Sequence, residues 1–180
     1  MFFLLYLQRL IIKRPANRNV QPLYAKMEQP DYKTIALDAF NKIKSHFANL
    51  KIIEELSDNN VDLSFNIPKQ QGLDFDINLN LQTDELHMST EFFSGSWFPI
   101  KHPEVISLFI DAVKGLITGD YRILQYWNGN KLLKSYLQKP ADKDWKTICK
   151  ANNSITFPWT NLTELIIRNT SYKRDKNFSV

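Results

Sequence analysis

The sequence predicts an α+β fold: two helices packed on one face of a mostly antiparallel sheet, in the order α-β-β-β-α-β-β-β(-β). Three observations predict it. Leu73, Phe75, Ile77, Leu79 and Leu81 alternate without a break with Asp74, Asp76, Asn78 and Asn80. That period of two gives a strand one buried and one wet face, and gives a helix no single apolar face. Ile106, Phe109, Ile110, Val113, Leu116 and Ile117 recur at the spacing of an amphipathic helix. Asn128-Gly129-Asn130 separates two β-prone runs, Tyr121–Trp127 and Lys131–Gln138. Asn-Gly is a preferred hairpin pair because both central residues of a type I′ turn need positive φ.

Taken in order, residues 1–30 read as an appendage outside the core. Phe2–Leu7 and Leu10–Ile12 are apolar but interrupted by Gln8 and Arg9, and the run falls short of the ~20 residues of a spanning helix. Its charges follow the apolar run, the reverse of a secretory signal. Three readings stay open: a non-native start ahead of Met27, a segment making weak membrane-surface contact through residues 1–14, or a basic leader resembling a transit peptide.

Asp31 is a suitable N-cap for a first helix. Ala36, Phe40, Ile43, Phe47 and Leu50 form its apolar stripe, and the turn-forming cluster Ser57–Asn60 is expected to end it. Val61–Ile67, Leu73–Gln82 and Leu86–Phe92 then alternate as three strands of a meander. Ser94–His102 reads as a loop. Pro103 and Glu104 open the second helix and Gly119 closes it. The hairpin follows. Trp145–Ala151 is expected to be a strand rather than a helical turn, and Ile155–Phe157 and Leu165–Ile167 are expected to be short late strands. The single domain is placed at 31–170, with 171–180 as a frayed basic tail. The order of elements is similar to that of small dimeric bacterial secretion-chaperone-type proteins, a likeness of order alone with no residue motif.

Charge narrows the functional classes. The net charge is +4, yet residues 27–167 carry 14 basic and 18 acidic side chains. The basicity therefore belongs to the two tails, whereas a nucleic-acid-binding domain carries it on its folded surface. No nucleic-acid partner is expected. The lone Cys149 excludes an intramolecular disulfide and fits a reducing, cytoplasmic setting. Lys146 and Lys150 beside it would lower a thiol pKa, but no histidine is paired with it in sequence. His46, His87 and His102 have no metal-ligand spacing, and neither metal nor cofactor is expected. Asp74 and Asp76 share a strand face and read as solvation of that face before a cation site. Asn152, Asn161 and Asn169 fit N-x-[ST] by chance in an Asn-rich chain.

What remains is a candidate interaction surface. It comprises the aromatic loop residues Trp97 and Phe98, the hairpin-tip residues Tyr126 and Trp127, and the acids Asp74, Asp76 and Glu91. The competing reading folds Trp97 and Phe98 back as a plug for the core, and it is favoured by a narrow margin. The functional expectation is a non-catalytic protein-binding module of chaperone, adaptor or immunity type, with its oligomeric state open and a homodimer among the options. The alternative is an enzyme or small-ligand binder with a cleft between the 94–102 loop and the 121–138 hairpin.

Overall fold

The computed structural model describes residues 31–55, 61–152 and 161–172. The N-terminal appendage, Ile155–Phe157 and the tail from residue 173 lie outside the described residues. Asp31 caps helix α1, Tyr32–His46, by accepting from the Thr34 amide at 3.2 Å. The helix buries Ala36, Ala39, Phe40 and Ile43. Phe47 and Leu50 are also buried, as the stripe requires, but they lie beyond the helix. The helix stops well before Ser57 because the chain from the β-branched Ile53 onward joins a sheet. Strand β1, Ile53–Glu55, pairs with β2, Leu63–Ile67. Tertiary pairing here overrides helical spacing.

The meander continues through β3, Ile77–Gln82, β4, Glu85–Ser89, and β5, Ser94–Trp97, all antiparallel, in a five-stranded sheet of order β1-β2-β3-β4-β5. Burial alternates from Leu73 to Leu81 as expected, although the ladder itself begins at Ile77. β5 replaces the first part of the expected loop. Its Gly95 explains why: a Cβ there would lie 2.7 Å from both the Cys149 Sγ and the Phe93 ring. The small residues of Ser94-Gly95-Ser96 mark close packing against another element.

Helix α2, Pro103–Thr118, begins at Pro103 and ends at Gly119, whose φ of 72° is left-handed. It buries Phe109, Ala112, Val113, Leu116 and Ile117. α1 packs against β2 and β3, and α2 packs against α1 and β5. The Phe40 ring lies 5.2 Å from Phe65 and 5.9 Å from Phe109, joining both helices to the sheet.

The later strands form a separate antiparallel sheet of order β8-β7-β6-β9. They are β6, Arg122–Asn128; β7, Lys131–Ala141; β8, Asp144–Asn152; and β9, Thr163–Ile167. The hairpin forms where Asn-Gly announces it, but Asn128 pairs with Lys131, so Gly129 and Asn130 are the central residues. Gly129 has a φ of 57° and neither asparagine has a positive φ. The turn therefore places glycine first, and does not use the Asn-Gly arrangement with two positive φ values. The α+β class and the succession helix, meander, helix, hairpin stand; the strands divide between two sheets, which meet where β5 packs beside β8.

Residues 168–172 are docked on the domain, and Ser171 and Tyr172 of the expected tail share in that docking. Asn169 is buried, its Nδ2 donates to the Gly72 and Ile117 carbonyls, and its Oδ1 accepts from the Asp74 and Ser171 amides. Arg168 Nε donates to the Gly119 carbonyl, and the Tyr172 ring meets Phe47 edge-on at 5.6 Å. The chain thus crosses back as a strap over the segment that leads into β3 and over the end of α2.

Candidate functional site

Asp62, Asp74, Asp76 and Glu91 do not make one acidic surface on the meander. Its outer rows are Ser64, Asn80, His87 and Ser96, then Asn66, Asn78, Ser89 and Ser94. The acids stand at the ends of the ladder, and three of them hold backbone amides. Asp62 accepts from Thr83 at 2.9 Å, Asp76 from Lys69 at 2.5 Å, and Asp74 from Thr170 at 2.7 Å. Asp74 also accepts from the Thr170 and Ser171 hydroxyls, and the Ser171 hydroxyl, then the Thr170 amide, hold its carboxyl below the usual carboxylate range. Solvation does not explain these aspartates; anchoring of turns and of the strap does. Glu91 is exposed beside the tight turn in which Thr90 Oγ1 accepts from the Phe92 and Phe93 amides. Asp76→Ala, which a purely solvated face would leave within ~0.5 kcal/mol, is expected to cost about 1 kcal/mol through the lost Lys69 hydrogen bond. A urea melt reads it.

The hairpin aromatics point to opposite faces of the second sheet. The Trp127 indole donates to Gln125 at 3.0 Å, and Gln125 in turn donates to the Phe92 carbonyl at 2.7 Å. Tyr126 meets Tyr136 at 5.7 Å on the other face, where burial, then Glu164, raises its hydroxyl pKa. Neither residue joins the aromatic loop.

Trp97 and Phe98 behave differently from each other. Trp97 is buried, with its ring edge-on to Phe109 at 5.3 Å, so it does plug the core. Phe98 is 57% exposed. The turn of the chain between them opens a groove of about 210 Å³ that includes Trp97, Phe98, Val105, Leu108 and Ile148. Leu108, also in the lining, is 53% exposed. Asp111 and Lys139 add one charge of each sign to the lining. Of the seven residues read from the sequence, this groove collects only Trp97 and Phe98. It is formed by the 94–102 segment, α2, β7 and β8, with Cys149 in its wall. Leu108 carried a usable signal, because it is a large apolar residue off the stripe of its own helix.

Two titratable groups of the groove lining, Asp111 and Cys149, are held by their surroundings. Asp111 accepts from the Tyr121 hydroxyl at 2.5 Å, and burial, then that hydrogen bond, pushes the Tyr121 pKa up. Burial raises the Cys149 thiol and outweighs the Lys150 and Ser96 backbone amides, which pull the other way; this is contrary to the lowered thiol expected from the Lys146 and Lys150 charges. His46 lies between the helices beside Lys114, and burial, then Lys114, lowers its pKa. His102 is the N-cap residue of α2, 3.6 Å from Glu104, and His87 lies 3.3 Å from Glu85. No group of three His, Cys, Asp or Glu side chains able to hold a metal occurs among the described residues, and no described helix is long and apolar enough to cross a membrane. Asn169, one of the three N-x-[ST] asparagines, is buried and fully used by its hydrogen bonds. Comparison of the chain with protein-family models, curated proteins and solved structures gives no match.

Proposed function

We propose that the protein is a binding module for another protein, which inserts apolar side chains from an exposed segment into the groove between β5, α2 and β8. The observation that carries this reading is the pair of exposed rim residues, Phe98 and Leu108, set over a floor closed by Trp97. Large apolar side chains left in water along a concave apolar strip mark a contact surface. Size supports a side-chain guest: about 210 Å³ is below the ~300–1,000 Å³ typical of small-molecule pockets. Asp111 and Lys139 would orient a guest segment without supplying catalysis, since Asp111 is held by Tyr121 and Cys149 by burial. A cytoplasmic setting belongs to the same reading and is supported by the single, partly buried thiol.

Selection from a displayed random-peptide library, followed by amide NMR titration of the best binder, tests the reading. Shifts should centre on Ser96–Phe98, Leu108, Asp111 and Ile148–Cys149. Phe98→Asp and Leu108→Asp should each weaken binding about tenfold or more, the loss of one buried contact of ~1.4 kcal/mol or greater. Both sites are exposed, so melting should move by no more than a few degrees. Peptides whose shifts map elsewhere, or that ignore both substitutions, would refute it.

A further inference from the structure

We propose that two copies of this chain associate through the outer edge of β9, as an antiparallel strand pair whose twofold axis passes beside Ile166. β9 is the terminal strand of its sheet, bonded to β6 on one side, with no second neighbour among the described strands. Its backbone therefore presents one row of N–H and C=O groups to a partner.

The side chains say that this edge is unusual. Leu165 and Ile166 point to opposite faces of the sheet, yet they are 46% and 52% exposed, and Leu162 just before the strand is 40% exposed. An edge strand that only borders a monomer keeps one face wet and polar. Here both faces offer large apolar groups to solvent, and a neighbouring strand is the one element that covers both at once. Most of the usual defences of an edge are missing: Thr163–Ile167 contains no proline, no lysine and no register shift against β6, and its one charge, Glu164, meets a basic partner in the pairing below. At the outer edge of the other sheet, β1 is three residues long and carries Glu54 and Glu55. β8 carries Lys146 and Lys150 and lies beside β5.

Charge and shape choose the occupant and the register. With the axis beside Ile166, Leu165 faces Ile167 of the second copy and Glu164 faces its Arg168. Glu164, Ile166 and Arg168 then line one face of a continuous sheet, with an ion pair on either side of an isoleucine pair. An axis beside Leu165 would instead set Glu164 against an isoleucine. Arg168 commits its Nε to the Gly119 carbonyl, which leaves the remaining guanidinium donors for a carboxylate. The contact is isologous, so it closes at two copies and joins two four-stranded sheets into one of eight. The inference is independent of what the groove binds.

Sedimentation equilibrium on the full chain with reductant present tests association, and is expected to give a dimer mass at tens of micromolar. Leu165→Lys and Ile166→Lys, both at exposed positions, should each shift the equilibrium about tenfold or more toward monomer while the circular dichroism spectrum is kept. Register is tested by cysteine cross-linking. Ile166→Cys should oxidise to a covalent dimer, because directly opposed residues lie ~4.5–5.5 Å apart. Glu164→Cys should not, because four residues of offset separate the two sulfur-bearing positions by roughly 13 Å. A monomer at ~100 µM, where even a weak dimer would be populated, overturns the proposal. So does a dimer indifferent to both lysines, or equal cross-linking of the two cysteine variants.

Discussion

Asn169→Ala is expected to cost about 3–5 kcal/mol, because a buried backbone group left without its partner costs ~1–3 kcal/mol and this substitution strands several. The Gly72 and Ile117 carbonyls lose their donor, and the Asp74 amide loses its acceptor. In a domain of this size each 1 kcal/mol moves the melting temperature by about 2–4 °C, so a fall of roughly 10 °C is expected in a thermal scan. Asn169→Asp should be no better, since it sets a carboxylate against two carbonyl oxygens. Asp74→Asn should cost less, because its contacts to Thr170 and Ser171 are exposed. The same contacts make the strap sensitive to acid. The carboxyl of Asp74 has a lower pKa folded than unfolded, so its contribution is present above the ordinary value near 3.9 and is lost as pH falls through the folded value. The acid-induced loss should be smaller in Asp74→Asn. An Asn169→Ala protein that melts within two or three degrees of the parent would show that the strap does not hold the domain.

Phe109→Ala is expected to cost about 3–5 kcal/mol, the range for deleting a buried aromatic ring and leaving a cavity. Phe109 is fully buried between Phe40 at 5.9 Å and Trp97 at 5.3 Å. The loss therefore reaches beyond stability. Trp97 forms part of the groove and rests on Phe109, so peptide binding should weaken in the variant even under conditions where it remains folded. Leu108→Ala, one residue away on the wet side of α2, should leave urea stability within about 0.5 kcal/mol while weakening the peptide. Equal destabilisation by the two changes would contradict the facing of the helix.

These two residues also show how far the sequence could be read. Phe109 belongs to a stripe visible in the chain, as Phe75 and Leu79 belong to an alternation, because helix and strand periods are set by local backbone geometry. The hairpin at Gly129 was legible for the same reason. Asn169 was not: it looked like a chance glycosylation triplet, and its partners at Gly72, Asp74 and Ile117 are brought to it only by the complete fold. β5 was hidden similarly, since Ser94-Gly95-Ser96 has loop composition and its reason for being small is Cys149 on another sheet. The groove drew on the 94–102 segment and on three further elements, α2, β7 and β8. Local pattern exposed Phe98 as an aromatic outside any period, but nothing in sequence placed Leu108, Lys139 and Ile148 around it.

The strap has a kinetic consequence. The meander is built from contacts between near neighbours in sequence, whereas Asp74 and Thr170 meet across a separation of 96 positions. Loop-closure entropy is repaid late for such contacts, and the strap is expected to dock after the rate-limiting barrier rather than before it. Asn169→Ala should then leave the refolding limb of a chevron nearly unchanged and carry its whole effect in faster unfolding, a φ-value near zero. Phe109, at the junction of both helices and the first sheet, should instead slow refolding. The half-life of the native state, more than the speed of reaching it, would thus be set by a single asparagine.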